Sequence, residues 1–124
     1  MQAPTVRERL RQALGEALKA RDSIAVSALR SALGAIDNAS AVPASPAPVA
    51  GASSPHFAGT AAGLGAAETE RRGLTEDEAR AIVRAEVTER QAAAADYERA
   101  GNMDRAGRLR READILASAV AIET

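Results

Sequence analysis

Several residue types on which enzymes rely are missing or rare in this sequence. It contains no cysteine and a single histidine, His56. Without cysteine there can be no disulfide framework, no cysteine-ligated zinc site and no thiol nucleophile. One histidine cannot form a multi-histidine metal site, and His56 has no sequence partner for Ser/His/Asp catalysis. The only aromatic residues are Phe57 and Tyr97. We therefore predict no catalytic residues, no cofactor and no metal site.

Long apolar segments are also absent. No stretch of about 18 consecutive apolar residues occurs, so no transmembrane helix and no membrane partner are expected. The first residues, MQAPTVRERLRQ, are charged from Arg7 onward and have no apolar core. We therefore expect no secretory signal, and we expect a cytoplasmic location.

The apolar content of the chain is mainly alanine. Hydrophobic residues make up 46% of the sequence, but 32 of the 124 residues are alanine. Leucine, isoleucine, valine and phenylalanine together supply only 22 residues. Such a composition borders on that of disordered chains, whereas the net charge of −1 argues against disorder. We predict a small helical domain with a thin core, which excludes a sizeable enzyme core.

The middle of the chain differs in composition from both ends. Residues 38–67 carry no charge and contain four of the five prolines and four of the nine glycines. Proline prevents a continuous helix, and alanine, serine and glycine offer little to bury. We therefore divide the chain into an N-terminal helical hairpin (5–37), a long flexible linker rich in Ala, Pro, Ser and Gly (38–73) and a C-terminal helical hairpin (74–121).

The N-terminal segment has the pattern of two helices. Thr5 and Glu8 form a capping-box motif, in which each side chain satisfies a free amide of the first helical turn. Apolar residues then recur every four positions from Val6 through Leu10 and Leu14 to Leu18. Asp22 is a predicted N-cap for a second helix. The segment is therefore a helical hairpin or a sharply bent helix.

The C-terminal segment repeats this pattern. Thr75 and Glu78 form a second capping box, and Gly101 is a predicted helix stop. Apolar stripes precede Gly101 and continue from Met103 to near the C-terminus, and no alternating strand pattern occurs. We predict an all-α fold in which two αα-hairpins pack as a small antiparallel four-helix arrangement.

Short motifs follow one another in a distinctive order along both segments. They run from an A-R-D turn and an L-R pair through L-T-x-x-E and E-V-x-x-R to Y-x-x-A-G and E-A-x-I-L. The motif residues are Arg21, Asp22, Leu29, Arg30, Thr75, Glu78, Glu86, Arg90, Tyr97, Gly101 and Glu112. In this order and spacing, residues 5–37 and 74–120 resemble the helical domain of the GatB/YqeY family.

The resemblance implies a functional context. Members of that family are small stand-alone bacterial proteins or the tail of the B subunit of tRNA-dependent amidotransferases, where the tail resembles a tRNA-contacting appendage. The family label also implies a carbon–nitrogen ligase with glutamine as amido-N-donor. Members usually continue with a Tyr-Leu-Pro motif and a further helical subdomain, which we expect to be lacking here because residues 117–124 do not match it.

Most of the motif residues have a simple structural interpretation. Glu86 and Arg90 are expected to form a helix-surface pair at i, i+4. Arg21 and Asp22 are expected to supply a helix cap and a solvated charge.

Two further motif residues lie close to the predicted core. Arg30 follows the core residue Leu29 and is expected to bridge helices, with ligand binding as the alternative. Tyr97 ends an apolar stripe and is expected at the edge of the core, with its hydroxyl at the surface.

Positive charge is concentrated in one part of the chain. Residues 99–111 contain five arginines against one acid, Asp104, which makes them the one plausible phosphate-facing patch. The candidate nucleic-acid-binding residues are Arg99, Arg105, Arg108 and Arg111. Arg110 is predicted to point elsewhere. Without stacking aromatics, binding to RNA is expected to be backbone-directed, weak and salt-dependent. The alternative is an ordinary solvated helix face.

Three functional hypotheses follow. The first is a non-catalytic YqeY-like module that binds tRNA or accompanies a tRNA-dependent amidotransferase. The second is a helical scaffold for a protein partner or for self-association, with no nucleic-acid role. The third, an autonomous carbon–nitrogen ligase, follows from the family label alone, because the chain offers no catalytic constellation.

Overall fold

A computed structural model describes residues 3–41 and 74–122 of the chain. These residues form four helices: α1 (Val6–Ala20), α2 (Ser23–Ala41), α3 (Glu76–Arg99) and α4 (Met103–Ala119). No strand occurs in the described residues, so the predicted all-α class is confirmed. The greater part of the predicted linker, with His56 and Phe57, lies outside the described residues.

The helix α2 is longer than predicted. It continues to Ala41, whereas the charge-free segment suggested an end at residue 37. Charge depletion marks a change of composition, but alanine, asparagine and serine are all compatible with the last turn of a helix. Residues 38–41 contain no proline, since the first proline of the charge-free segment is Pro43. The described helix therefore continues four residues past the predicted end.

The predicted N-terminal caps are confirmed. The Glu8 amide donates to Thr5 Oγ1 at 3.1 Å, and the Thr5 amide donates to the Glu8 carboxylate at 2.9 Å. Thr75 and Glu78 repeat this exchange at 3.0 and 2.9 Å. The Asp22 carboxylate accepts from the Ala25 amide at 3.2 Å and caps α2, which follows α1 after a turn of two residues. The N-terminal segment is therefore a hairpin of two helices.

Three helix ends close with a residue in the left-handed region. These residues are Arg21 (φ 57), Gly101 (φ 84) and Ala121 (φ 56). After α3 the Asn102 amide donates to the Tyr97 carbonyl at 2.8 Å and the Gly101 amide to Glu98 at 3.0 Å, which is a Schellman motif. The same two bonds follow Arg21 and Ala121. Only Gly101 adopts this backbone without a steric penalty.

We expect substitutions to or from glycine to change the free energy of unfolding in opposite directions at these three helix ends. Gly101→Ala is expected to lower the free energy of unfolding by about 1 kcal/mol, because a left-handed backbone strains a residue that carries Cβ. No heavy atom lies within 4 Å of a Cβ at this position, so crowding adds nothing. Arg21→Gly and Ala121→Gly should raise the free energy of unfolding by up to about 1 kcal/mol, because each removes the Cβ that strains a left-handed backbone. Urea unfolding of the three variants measures the change in the free energy of unfolding. A Gly101→Ala variant more stable than the parent would contradict this account.

The core is thin, as the composition predicts. Half of the 18 buried apolar residues described are alanine. The large side chains that are fully buried are Leu10, Leu29, Ile36, Val83, Leu116 and Val120. The helices of each hairpin pack against each other, and α2 also contacts α3 and α4. Small alanine side chains allow these helices to approach closely.

Two residues of the predicted apolar stripes lie outside the core. Leu18 is 48% exposed and Met103 is 63% exposed. A four-residue spacing advances about 40° too far on each repeat, because four residues turn through about 400°. After three repeats Leu18 has rotated away from the core, and Ala17 is buried instead. Met103 begins α4 and lies at the end of the bundle.

None of the four described helices combines the length and apolar character that crossing a membrane requires.

Candidate functional site

Three of the four candidate arginines line one surface depression. Arg105, Arg108 and Arg111 occur at intervals of three residues along α4, and this spacing keeps them on neighbouring positions of one helix face. The depression has a volume of about 560 Å³ and is open to solvent. Its remaining lining residues are Ile24, Asn102, Asp104 and Gly107. The start of α2 therefore forms one of its walls.

Arg111 connects the depression to the turn between α1 and α2. Its guanidinium donates to the Asp22 carboxylate at 2.6 Å, across 89 positions of sequence. The pKa of Asp22 lies below its ordinary value, first because the Ala25 amide donates to the carboxylate and then because of Arg111. Asp22 is thus both the cap of α2 and the counter-ion of Arg111, and the second role was not predicted.

Arg105 lies over the ring of Tyr97. The guanidinium carbon is 5.4 Å from the ring centroid, which is within cation–π range, and Arg105 also donates to the Tyr97 hydroxyl at 3.4 Å. Tyr97 is half-buried, as predicted for a residue at the core edge. This contact restrains the Arg105 side chain without neutralising its charge.

Arg108 is exposed, and its side chain makes no ion pair within residues 3–41 and 74–122. Among the three arginines of the depression, only Arg111 has a carboxylate partner in those ranges. Asp104 is the one acid in the lining. The depression therefore carries an excess of positive charge.

The other two arginines of the cluster lie elsewhere. Arg99, which was among the candidates, pairs with Asp96 and does not line the depression. Arg110 donates two hydrogen bonds to the Glu98 carboxylate, at 2.8 and 2.9 Å. These bonds lower the pKa of Glu98. Arg110 thus points away from the three arginines, as predicted.

A second cluster of charges connects three helices. Arg90 donates to Glu86 at 2.8 Å and to Glu112 at 2.8 Å, and the Ser31 hydroxyl donates to Glu86 at 3.2 Å. Burial would lower the pKa of Arg90, but the hydrogen bonds from Arg90 to Glu86 and Glu112 outweigh it and raise that pKa. The guanidinium is therefore always charged.

This cluster corrects a prediction of the sequence. Glu86 and Arg90 form the predicted i, i+4 pair, but the pair is not an isolated surface feature. The three side chains are only 13–19% exposed, because Glu112 approaches Arg90 from α4. No local pattern relates residues 22 positions apart, so the triad could not be found from spacing alone.

The remaining motif residues are mostly structural. Leu29 is buried in the core, and Thr75, Glu78 and Gly101 form helix ends. Arg30 is exposed, and its side chain makes no hydrogen bond or ion pair with any residue that the structure describes. The predicted bridge from Arg30 to another helix is therefore absent from the described part of the chain.

Within the described ranges, no group of three or more histidine, aspartate or glutamate side chains could hold a metal ion. Comparisons of the chain with protein-family models, curated proteins and solved structures find no match. The depression with its three arginines is therefore the candidate site on geometry and charge alone.

Proposed function

We propose that this chain is a non-catalytic helical module that binds the phosphate backbone of RNA, in the cytoplasm. The observation that carries the proposal is the depression in which Arg105, Arg108 and Arg111 meet beside the start of α2. Guanidinium groups suit phosphate because their planar donors match its oxygens. No base-stacking aromatic lies in the lining, so the proposed contact is to the backbone and carries no sequence preference.

The resemblance to the GatB/YqeY family suggests transfer RNA as the ligand, free or held by an amidotransferase. We also propose the antiparallel order of the four helices and a linker role for residues 42–73, since residues 38–41 of the predicted linker belong to α2. Two short turns support that order, since α1 and α2 are separated by two residues and α3 and α4 by three. A carbon–nitrogen ligase activity finds no support in the side-chain clusters described above.

A salt-dependent titration with bulk tRNA tests the RNA proposal. We expect weak binding at about 50 mM salt that falls steeply toward about 200 mM, because binding releases counter-ions from the RNA. The variant Arg105→Glu/Arg108→Glu should bind about tenfold more weakly or worse at low salt, since two cations become anions. Fluorescence anisotropy of labelled tRNA measures both quantities.

The control is Arg11→Glu/Arg84→Glu, which makes the same change in net charge at two exposed positions outside the depression. It should lose much less affinity. An equal loss in both variants would show that only total charge matters and would overturn the site.

Asp22→Asn tests the same site through an expected gain in tRNA affinity. Asparagine also caps helices well, so α2 should keep its start, while Arg111 loses the carboxylate that holds it. We expect a severalfold gain in tRNA affinity and a salt slope steeper by about 0.7 to 0.9. Asp96→Asn frees Arg99 outside the depression and should change neither quantity appreciably. A gain as large for Asp96→Asn would contradict the assignment.

A further inference from the structure

A second depression lies between the end of α1 and the first two turns of α2. This groove has a volume of about 610 Å³ and is open to solvent. Its lining consists of Leu18, Arg21, Ser23, Val26, Ser27 and Arg30. It is separate from the proposed RNA site, because the two depressions share no lining residue.

The floor of the groove is apolar and accessible. Leu18 is 48% exposed, and Val26 is half-buried beside it. Covering such side chains removes apolar surface from water, which favours a partner that is itself apolar. Ser23 and Ser27 are small and four positions apart, so they leave room for another helix to approach α2.

The rim of the groove is positively charged. Arg21 and Arg30 line it, and no carboxylate does. Neither arginine has an ion-pair partner in the described parts of the chain. The α2 wall from Ser23 to Arg30 is about 10 Å long, or two helical turns. A complementary ligand therefore presents apolar side chains together with carboxylates that pair with these two arginines.

We propose that this groove binds an acidic amphipathic helix of a partner protein. The mode is that of a helix in a groove, with apolar anchors on Leu18 and Val26 and glutamates or aspartates at Arg21 and Arg30. The phosphate backbone of RNA supplies no apolar group to cover Leu18. A second copy packed groove to groove about a twofold axis would bring Arg21 and Arg30 against their own counterparts, and the like charges would repel. An acidic helix satisfies both the apolar floor and the charged rim.

The test uses the full chain and a synthetic helical peptide of about 18 residues, which is long enough to form a helix on binding. The peptide carries leucine at i, i+3 and i+7 and glutamate on both flanks of that row. Fluorescence anisotropy gives its affinity, and amide chemical-shift changes locate it. We expect the shift changes to centre on Leu18, Ser23 and Ser27. Peptides with serine for leucine, or with lysine for glutamate, should bind at least about tenfold more weakly.

Variants of the protein assign the binding to the groove. Leu18→Asp should weaken it about tenfold or more, because a charge replaces the central anchor. Ser27 is exposed, and the variant Ser27→Trp should fill the groove and weaken peptide binding about tenfold or more. It serves as the second test in case Leu18→Asp perturbs α1. Met103→Asp alters the other large apolar residue that is exposed in residues 3–41 and 74–122, and it is expected to have no effect. Arg30→Gln should weaken binding severalfold at low salt, whereas Arg84→Gln should not.

Absence of binding, or binding that Leu18→Asp and Ser27→Trp leave unchanged, would overturn the proposal. Displacement of the peptide by tRNA, together with loss of tRNA affinity in Arg30→Gln, would assign the groove to the RNA surface and would overturn it as well. If the peptide binds as expected while Arg105→Glu/Arg108→Glu leaves tRNA binding unchanged, the groove stands and the proposed RNA function fails.

Discussion

Replacing Leu29 by alanine is expected to lower the free energy of unfolding by about 3 to 4 kcal/mol. Leu29 is 1% exposed and is one of few large side chains in the core. The loss has two parts, the transfer of apolar atoms to water and the cavity that remains. Many neighbouring core residues are alanines, which have no rotamers with which to fill a cavity. The cost should therefore lie near the middle of the usual range for leucine and not at its low end.

Urea unfolding followed by far-UV circular dichroism measures this loss. A domain of this size has few kcal/mol to spare, so the variant should unfold at much lower urea concentration. The matched control is Leu18→Ala, the same substitution at a leucine that is 48% exposed, with an expected loss below about 1 kcal/mol. Equal losses at the two positions would mean that the packing of α1 and α2 described above is wrong.

Replacing Arg90 by methionine is expected to cost about 2 to 4 kcal/mol. Methionine retains much of the length of the side chain but removes the guanidinium that separates Glu86 and Glu112. Their carboxylates are only 19% and 14% exposed, so they would face each other with little water between them. Breaking a partly buried ion pair from one side leaves charge without compensation. The measured quantity is again the free energy of unfolding in urea.

Two further variants isolate the charge effect. Arg84→Met makes the same substitution at an exposed position of α3 and should change stability by less than about 0.5 kcal/mol. The triple variant Arg90→Met/Glu86→Gln/Glu112→Gln removes both carboxylate charges and should recover much of the loss. If the triple variant is no more stable than Arg90→Met, the cost arises from lost packing and not from unpaired charge.

The ends of the helices were predictable because their causes are local. Thr5, Thr75 and Gly101 cap helices through hydrogen bonds to amides and carbonyls within a few residues. Their motifs can therefore be recognised in the sequence. The end of α2 was predicted wrongly because no local capping motif marks it. Residues 38–41 contain no stop motif, and a change of composition is not a backbone constraint.

The candidate site was predictable only in part. The three-residue spacing of Arg105, Arg108 and Arg111 is enough to place them on one face of α4, where they line the same depression. Helical spacing does not show what stands opposite that face, and here it is Ile24 and Asp22 at the start of α2. Arg99 is a different case, because it ends α3 and its pair with Asp96 is a local i, i+3 contact that helical spacing could have indicated.

By itself, the sequence determined that the two described segments are helical, where most of their helices begin and end, and that the core is built largely on alanine. These properties depend on capping groups, on a 3.6-residue period and on side-chain size, all of which act over a few residues. Only the tertiary structure decided which distant groups meet, such as Arg111 with Asp22, Arg90 with Glu112 and the Val6 amide with Glu76. It also decided that Leu18 borders an open groove. The packing of helices fixes these contacts, because they depend on the relative rotation and approach of separate elements and not on spacing within one.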